Sequence, residues 1–177
     1  MNIHSITDGE KGLLSRAAVN PAELKILVER YQKLLFGFAL SFASFSREQA
    51  FDISSASLVH ALQLKRQVLR DGEFLEEIFR ETIRKCLEEV PTGSPDLTAF
   101  GDLSSHSKEF LKIVRQALVT LSAQDKCVLL LRDQCHFTFA GIAPILDMEI
   151  SKARLFCLEA RERLRTAVQN ILERKTG

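Results

Sequence analysis

The chain has no tryptophan and a single tyrosine, and among its 177 residues there are only four prolines and eight glycines. It also lacks any run of about 18 consecutive apolar residues, which excludes a hydrophobic membrane-spanning helix. With 46% hydrophobic and 27% charged residues, wholesale disorder is excluded too. An excess of either charge is missing: 24 basic against 23 acidic side chains give +1. That excludes a general polyanion-attracting field and leaves local patches to be counted. The segment Met1 to Asn20 lacks the basic, apolar, small-residue order of a secretory signal, so the expected location is the cytoplasm.

Sites for chemistry are equally scarce. Cys86, Cys127, Cys135 and Cys157 stand 41, 8 and 22 residues apart, without the CxxC spacing of a zinc pair; they read as small buried hydrophobes. Cys135-His136 and Cys127 lack a fourth ligand at suitable spacing, so no metal is expected. No Ser/His/Asp order, glycine-rich phosphate loop or paired-carboxylate site stands out, and neither enzymatic activity nor a cofactor is expected. Five of the twelve phenylalanines cluster at Phe36, Phe38, Phe42, Phe45 and Phe51, a helical spacing that suits a core better than a base-stacking platform.

What is present is helical periodicity, which makes the chain all-α. Asn20-Pro21-Ala22-Glu23 is a helix start: Asn caps, Pro needs no donor at the first position, and Glu sits at the third. From it Leu24, Leu27, Val28, Tyr31, Leu35, Phe38, Ala39 and Phe42 form a buried stripe ending near Ala43. Ser46 with Gln49 opens a second helix bearing Ala50, Ile53, Ser57, Ala61 and Leu64. Asp71-Gly72 opens a third, with Phe74, Ile78, Leu87 and Val90. Turn formers over Pro91–Asp96, then Gly101 and Ser104–Ser107, break the pattern. The chain thus divides into a helical domain over 1–90, a flexible linker over 91–107 and a second domain over 108–177. In the second, helices are expected near 108–121, 122–134, 138–146 and 150–174.

Charge is uneven along this plan. Residues 71–90 hold three basic and seven acidic side chains, net −4, whereas residues 150–177 hold seven basic and three acidic, net +4. Only the C-terminal end suits phosphate contact. There, a short helix over Thr138–Leu146, a tight turn at Asp147-Met148-Glu149 and a long helix form a helix-turn-helix pattern. The long helix buries Ile150, Ala153, Cys157, Ala160, Leu164, Ala167 and Ile171. Arg154, Leu155, Leu158, Arg161, Glu162 and Arg165 are left outward.

The run Leu121-Ser122-Ala123-Gln124-Asp125 through Arg132, then Phe139–Leu146, then Ala160-Arg161-Glu162-Arg163-Leu164-Arg165 resembles the promoter −35-reading domain of extracytoplasmic-function sigma factors. More loosely, Glu29-Arg30-Tyr31 through Phe36, Ala50–Leu62 and Phe74-Leu75 resemble that family's N-terminal domain. The resemblance implies two small helical domains, core RNA polymerase and promoter DNA as partners, and an anti-sigma factor as a regulator. It places polymerase docking at Asp52 and Ser55, and DNA contact at Lys152, Arg154, Leu155, Leu158, Arg161 and Arg165. The chain departs from the family pattern at Ser55 and Ala56, at Leu62 where an aromatic is usual, and at Glu76 and Glu77 where the surface is usually polar or basic.

Two functions stay open. One is a divergent sigma factor directing promoter-specific initiation. The other is a sigma-like interaction protein that binds an anti-sigma factor or another transcription protein without initiating transcription. A one-component repressor is a weaker third. Lys152, Arg154, Arg161 and Arg165 are either a solvated face or DNA contacts; Leu155, Phe156 and Leu158 either pack against the first domain or form an exposed protein-binding patch.

Overall fold

A computed structural model describes residue 16 and residues 20–63, 74–91 and 105–176. Within these the fold is all-α, in seven helices. Helix α1 (Pro21–Phe42) starts as the sequence dictates: Asn20 Oδ1 accepts from the Ala22 N–H at 3.0 Å. It ends where Ala43 turns extended. Helix α2 (Arg47–Gln63) is opened by a reciprocal capping box. The Gln49 N–H donates to Ser46 Oγ at 3.1 Å, and the Ser46 N–H to Gln49 Oε1 at 3.2 Å.

Helix α3 (Phe74–Glu88) buries Phe74, Leu75, Ile78 and Phe79. Leu87 and Val90, grouped with that apolar set from sequence, are instead 56% and 76% exposed; they fall where α3 ends and no described element covers them. The expected start at Asp71-Gly72 and the expected core residue Leu64 lie outside the described residues. Many α3 acids are matched on the helix itself: Glu81 and Glu88 take Arg84 at 2.6 Å, and Glu76 and Glu77 lie 3.8 Å from Arg80.

In the second half, α4 (Ser105–Thr120) starts earlier than the periodicity implied. Helix α5 (Ala123–Leu129) continues into a π-helical turn over Leu130–Gln134. Then come α6 (Phe139–Ile145) and α7 (Ile150–Thr176).

The two halves share one core. Buried residues of α1, α2 and α3 form a continuous cluster with Cys127, Val128, Leu131, Phe137, Ile142 and Ala153. At the seam Phe79 packs edge-on against Phe38 at 5.6 Å and against Phe137 at 4.9 Å. Arg80 donates twice to the Pro144 carbonyl, at 2.7 and 3.2 Å. The buried Arg115 donates to the Leu40 carbonyl at 3.2 Å. Lys126 sits 4.9 Å from the Phe42 ring centroid.

All four cysteines are free and buried. Burial pushes the Cys127 and Cys135 thiols up to about 12, and Cys86 is raised as well. Such thiols stay protonated at neutral pH, as expected for space-filling cysteines. Among the described residues no group of three or more His, Cys, Asp or Glu could hold a metal ion, and no helix is long and apolar enough to cross a membrane.

Candidate nucleic-acid interface

Helix α6 is seven residues long because it is bounded on both sides by strong local signals. Thr138 caps it, its Oγ1 accepting from the Gly141 N–H at 3.2 Å. After Leu146 the chain reverses through Asp147, whose φ of 49° is left-handed. The Met148 N–H returns to the Ala143 carbonyl at 3.0 Å, and the Ala153 N–H bonds Glu149 to begin α7. Gly141 permits the close fit beneath this corner: a Cβ there would meet Phe137 Cδ1 at 3.1 Å.

Helix α7 fully buries only small side chains, Ala153, Cys157 and Ala160, at a spacing of four and three. The helix therefore lies close on α6 and α5 while most of its circumference faces outward. Leu164, Ala167 and Ile171 are half-buried. Ile150, expected in the buried stripe, is 48% exposed; it is the first residue of the helix and has no preceding turn to cover it.

The predicted contact residues fall into distinct environments. Lys152 and Arg154 are exposed on the first turns of α7. Arg154 lies 5.6 Å from the Phe139 ring centroid, and Arg132 lies 4.9 Å from that same centroid. Arg132 also donates to the Phe137 carbonyl at 2.7 Å, and the Phe139 ring gives Arg154 its contact on the preceding helix. Lys152 is 5.8 Å from the Phe156 ring. Arg165 is exposed and within 3.8 Å of Glu162, a contact of little strength in water. Arg161 differs: Nε and Nη2 take both carboxylate oxygens of Asp133, and this pairing raises its already high pKa. One further arginine is structural. Arg163 reaches the buried Asp125 at 2.7 Å.

Leu155 and Leu158 are 55% and 60% exposed, so neither packs against the first half. Between basic neighbours they form an apolar stripe on the outer face of α7.

On the first half, Asp52 is exposed on α2. Ser55 is half-buried, its hydroxyl accepting from Gln32 Nε2 at 3.2 Å. Phe51, counted with the core phenylalanines from sequence, is 52% exposed, while Phe38, Phe42 and Phe45 are buried. It shares an open groove with Phe36, Arg47 and Asp52, and Arg47 sits 5.8 Å from the Phe36 ring. Leu62 packs partly against the core. Glu77 lies 3.7 Å from His60 as well as near Arg80.

Sequence reasoning missed Phe139 and Asp133 as contacts of Arg154 and Arg161. Their signal lay in the chain from the start, an aromatic and an acid on the helices preceding a basic helix, but pairing 28 residues apart requires the fold.

Two helical halves, the second a short helix, a left-handed turn and a long basic helix, define a sigma-factor-like architecture. No family model matches the sequence, and no curated protein matches it. Among solved structures, the chain is similar in fold to CnrH, an extracytoplasmic-function sigma factor, in its complex with the cytosolic domain of CnrY. The TM-score is 0.71 at 19% identity, covering 92% of this chain and 99% of CnrH.

Proposed function

We propose that the chain is a divergent sigma factor of the cytoplasm that directs core RNA polymerase to particular promoters. In this reading the first half docks on polymerase along α2, with Asp52 and Ser55 in the contact, and meets the −10 element. Helix α7 enters the major groove of the −35 element, which admits one α-helix. Residues 91–104, between α3 and α4, act as a linker between two units.

The observation that carries the reading is the set of exposed basic side chains along α7. Arg154 and Arg165 share an outward face with no buried partner and Lys152 is exposed on the other flank of the first turn, in a chain whose fold is that of a sigma factor. Arg161 belongs to the same face, but its contact with DNA requires Asp133 to be displaced.

The first test is co-purification of the tagged chain with core RNA polymerase, followed by open-complex formation on genomic promoter fragments. Specific initiation is the expected result; absence of both polymerase binding and opening overturns the reading. Arg154 gives a sharper check. Arg154→Ala is expected to lower the slope of log affinity against log salt by about 0.9 for duplex DNA, and an unchanged slope removes that residue from the phosphate contacts.

A second reading rests on a separate observation, the exposure of Leu155 and Leu158 on the same helix. Apolar residues on a face meant for phosphates suit a protein partner, and the neighbouring structure, CnrH, was solved with CnrY bound. An anti-sigma factor is the partner this favours. Leu158→Glu is then expected to weaken the complex by about 2 kcal/mol, the size of an interface anchor, while far-ultraviolet circular dichroism stays unchanged. Equal partner binding by wild type and variant would exclude the patch.

A further inference from the structure

The cleft between α1 and the corner joining α5 to α6 has a composition that neither DNA contact nor polymerase docking uses. Its walls come from both halves of the molecule: Tyr31 and Leu34 from α1, Gln134 and Cys135 from the end of the π-helical turn. The volume is about 390 Å³, within the range of small-ligand sites, and its lining is mostly apolar in the way such sites are.

Its rim is basic. Arg30 and Lys33 stand on the α1 side and His136 on the other. Arg30 is aligned over the floor, its guanidinium 6.0 Å from the Tyr31 ring centroid. The one acid of the corner, Asp133, is directed to Arg161 by two hydrogen bonds, and among the described residues lining the cleft there is no carboxylate.

Two backbone features shape the opposite wall. The chain is wound one residue wide over Leu130–Gln134, the Cys135 N–H reaching Leu130 O at 2.9 Å. His136 then takes a left-handed conformation, φ 60°, which costs a side chain energy that glycine would avoid. Turns of the first kind and residues of the second occur often at functional sites. Together they place Gln134 against α1, where Gly37 admits it: a Cβ on Gly37 would lie 3.2 Å from Gln134 Nε2.

We propose that this cleft binds a small organic anion with an apolar body, its carboxylate or phosphate held by Lys33 and His136 and its hydrocarbon against Leu34, above the buried Tyr31 ring. Because the walls belong to different halves, the bound anion holds α1 and the helix-turn-helix together. The proposal does not depend on the sigma-factor reading, since binding is measured on the isolated chain.

The sequence supplies its own reporter, as Tyr31 is the one tyrosine and there is no tryptophan. Titration of the full chain with octanoate is expected to change tyrosine emission saturably. Octan-1-ol, which keeps the apolar body, and inorganic phosphate, which keeps the charge, are each expected to bind at least about tenfold more weakly. Lys33→Glu, at an exposed position, is expected to weaken octanoate by about tenfold or more, the size of one lost charge contact. His136→Gly keeps the left-handed backbone while removing the imidazole, and is expected to weaken it by a smaller factor. No saturable change, equal binding of octan-1-ol, or unaltered octanoate affinity in Lys33→Glu overturns the proposal.

Discussion

Phe79→Ala is expected to lower stability by about 3–5 kcal/mol, the cost of deleting a fully buried phenylalanine ring. The ring has no exposed surface and lies between Phe38 and Phe137, with centroid separations of 5.6 and 4.9 Å. One of these neighbours belongs to the first half and the other to the second, so the cavity opens on the seam rather than inside either half. Two consequences follow. The cavity should remove packing from both halves, because the buried cluster is continuous across them. Wild type should unfold in urea in a single transition, whereas Phe79→Ala should lower the midpoint and broaden or divide it as the halves uncouple. A variant with an unchanged midpoint would mean that the ring is not a principal contact of the core.

Asp125 yields the second large effect. It stands at the start of α5, where its N–H donates to Ser122 Oγ at 3.1 Å and its carboxylate accepts from Ser122 and from Arg163. Burial pushes its carboxyl up, but the hydrogen bonds from Arg163 and Ser122 more than reverse this and hold it below the usual carboxylate range. A carboxyl lowered on folding contributes stability that is complete above its unfolded value, near 3.8, and is lost as pH falls through the lower folded one. Asp125→Asn removes that charge while preserving shape, and is expected to cost about 2 kcal/mol at pH 7. The gap between wild type and variant should narrow once pH drops below about 4. Urea midpoints at pH 7, 5 and 3 measure this directly, and a gap independent of pH would show that the Arg163 pairing does not depend on the ionised carboxylate.

Four of the helix starts were legible because each is a local event. Asn20, Ser46, Ser122 and Thr138 cap helices through bonds spanning two or three residues, which sequence spacing encodes. The outward position of Leu155 and Leu158 was legible for the same reason, since a helix with Ala153, Cys157 and Ala160 inward has only one outer side. Relations across the seam were not legible. Phe51 has the same spacing as its buried neighbours yet is exposed, because burial depends on which element packs there. Arg161 resembled its neighbours in sequence, and only the placement of Asp133 distinguishes it. The cleft is another case, formed by α1 residues and a corner 100 residues further along the chain.

The shared core also acts as a ruler. A folded chain of 177 residues has a radius of gyration of roughly 16 Å, whereas the −35 and −10 elements are by their names about 25 base pairs apart, roughly 85 Å of duplex. With the Phe79–Phe137 contact closed, the chain is too short to hold both elements. From residue 91 to residue 105 the backbone can extend about 50 Å, enough, with the width of the halves added, to cover that distance. Promoter engagement under the sigma reading therefore requires the seam to part, and the free energy of polymerase binding has to exceed the packing lost there.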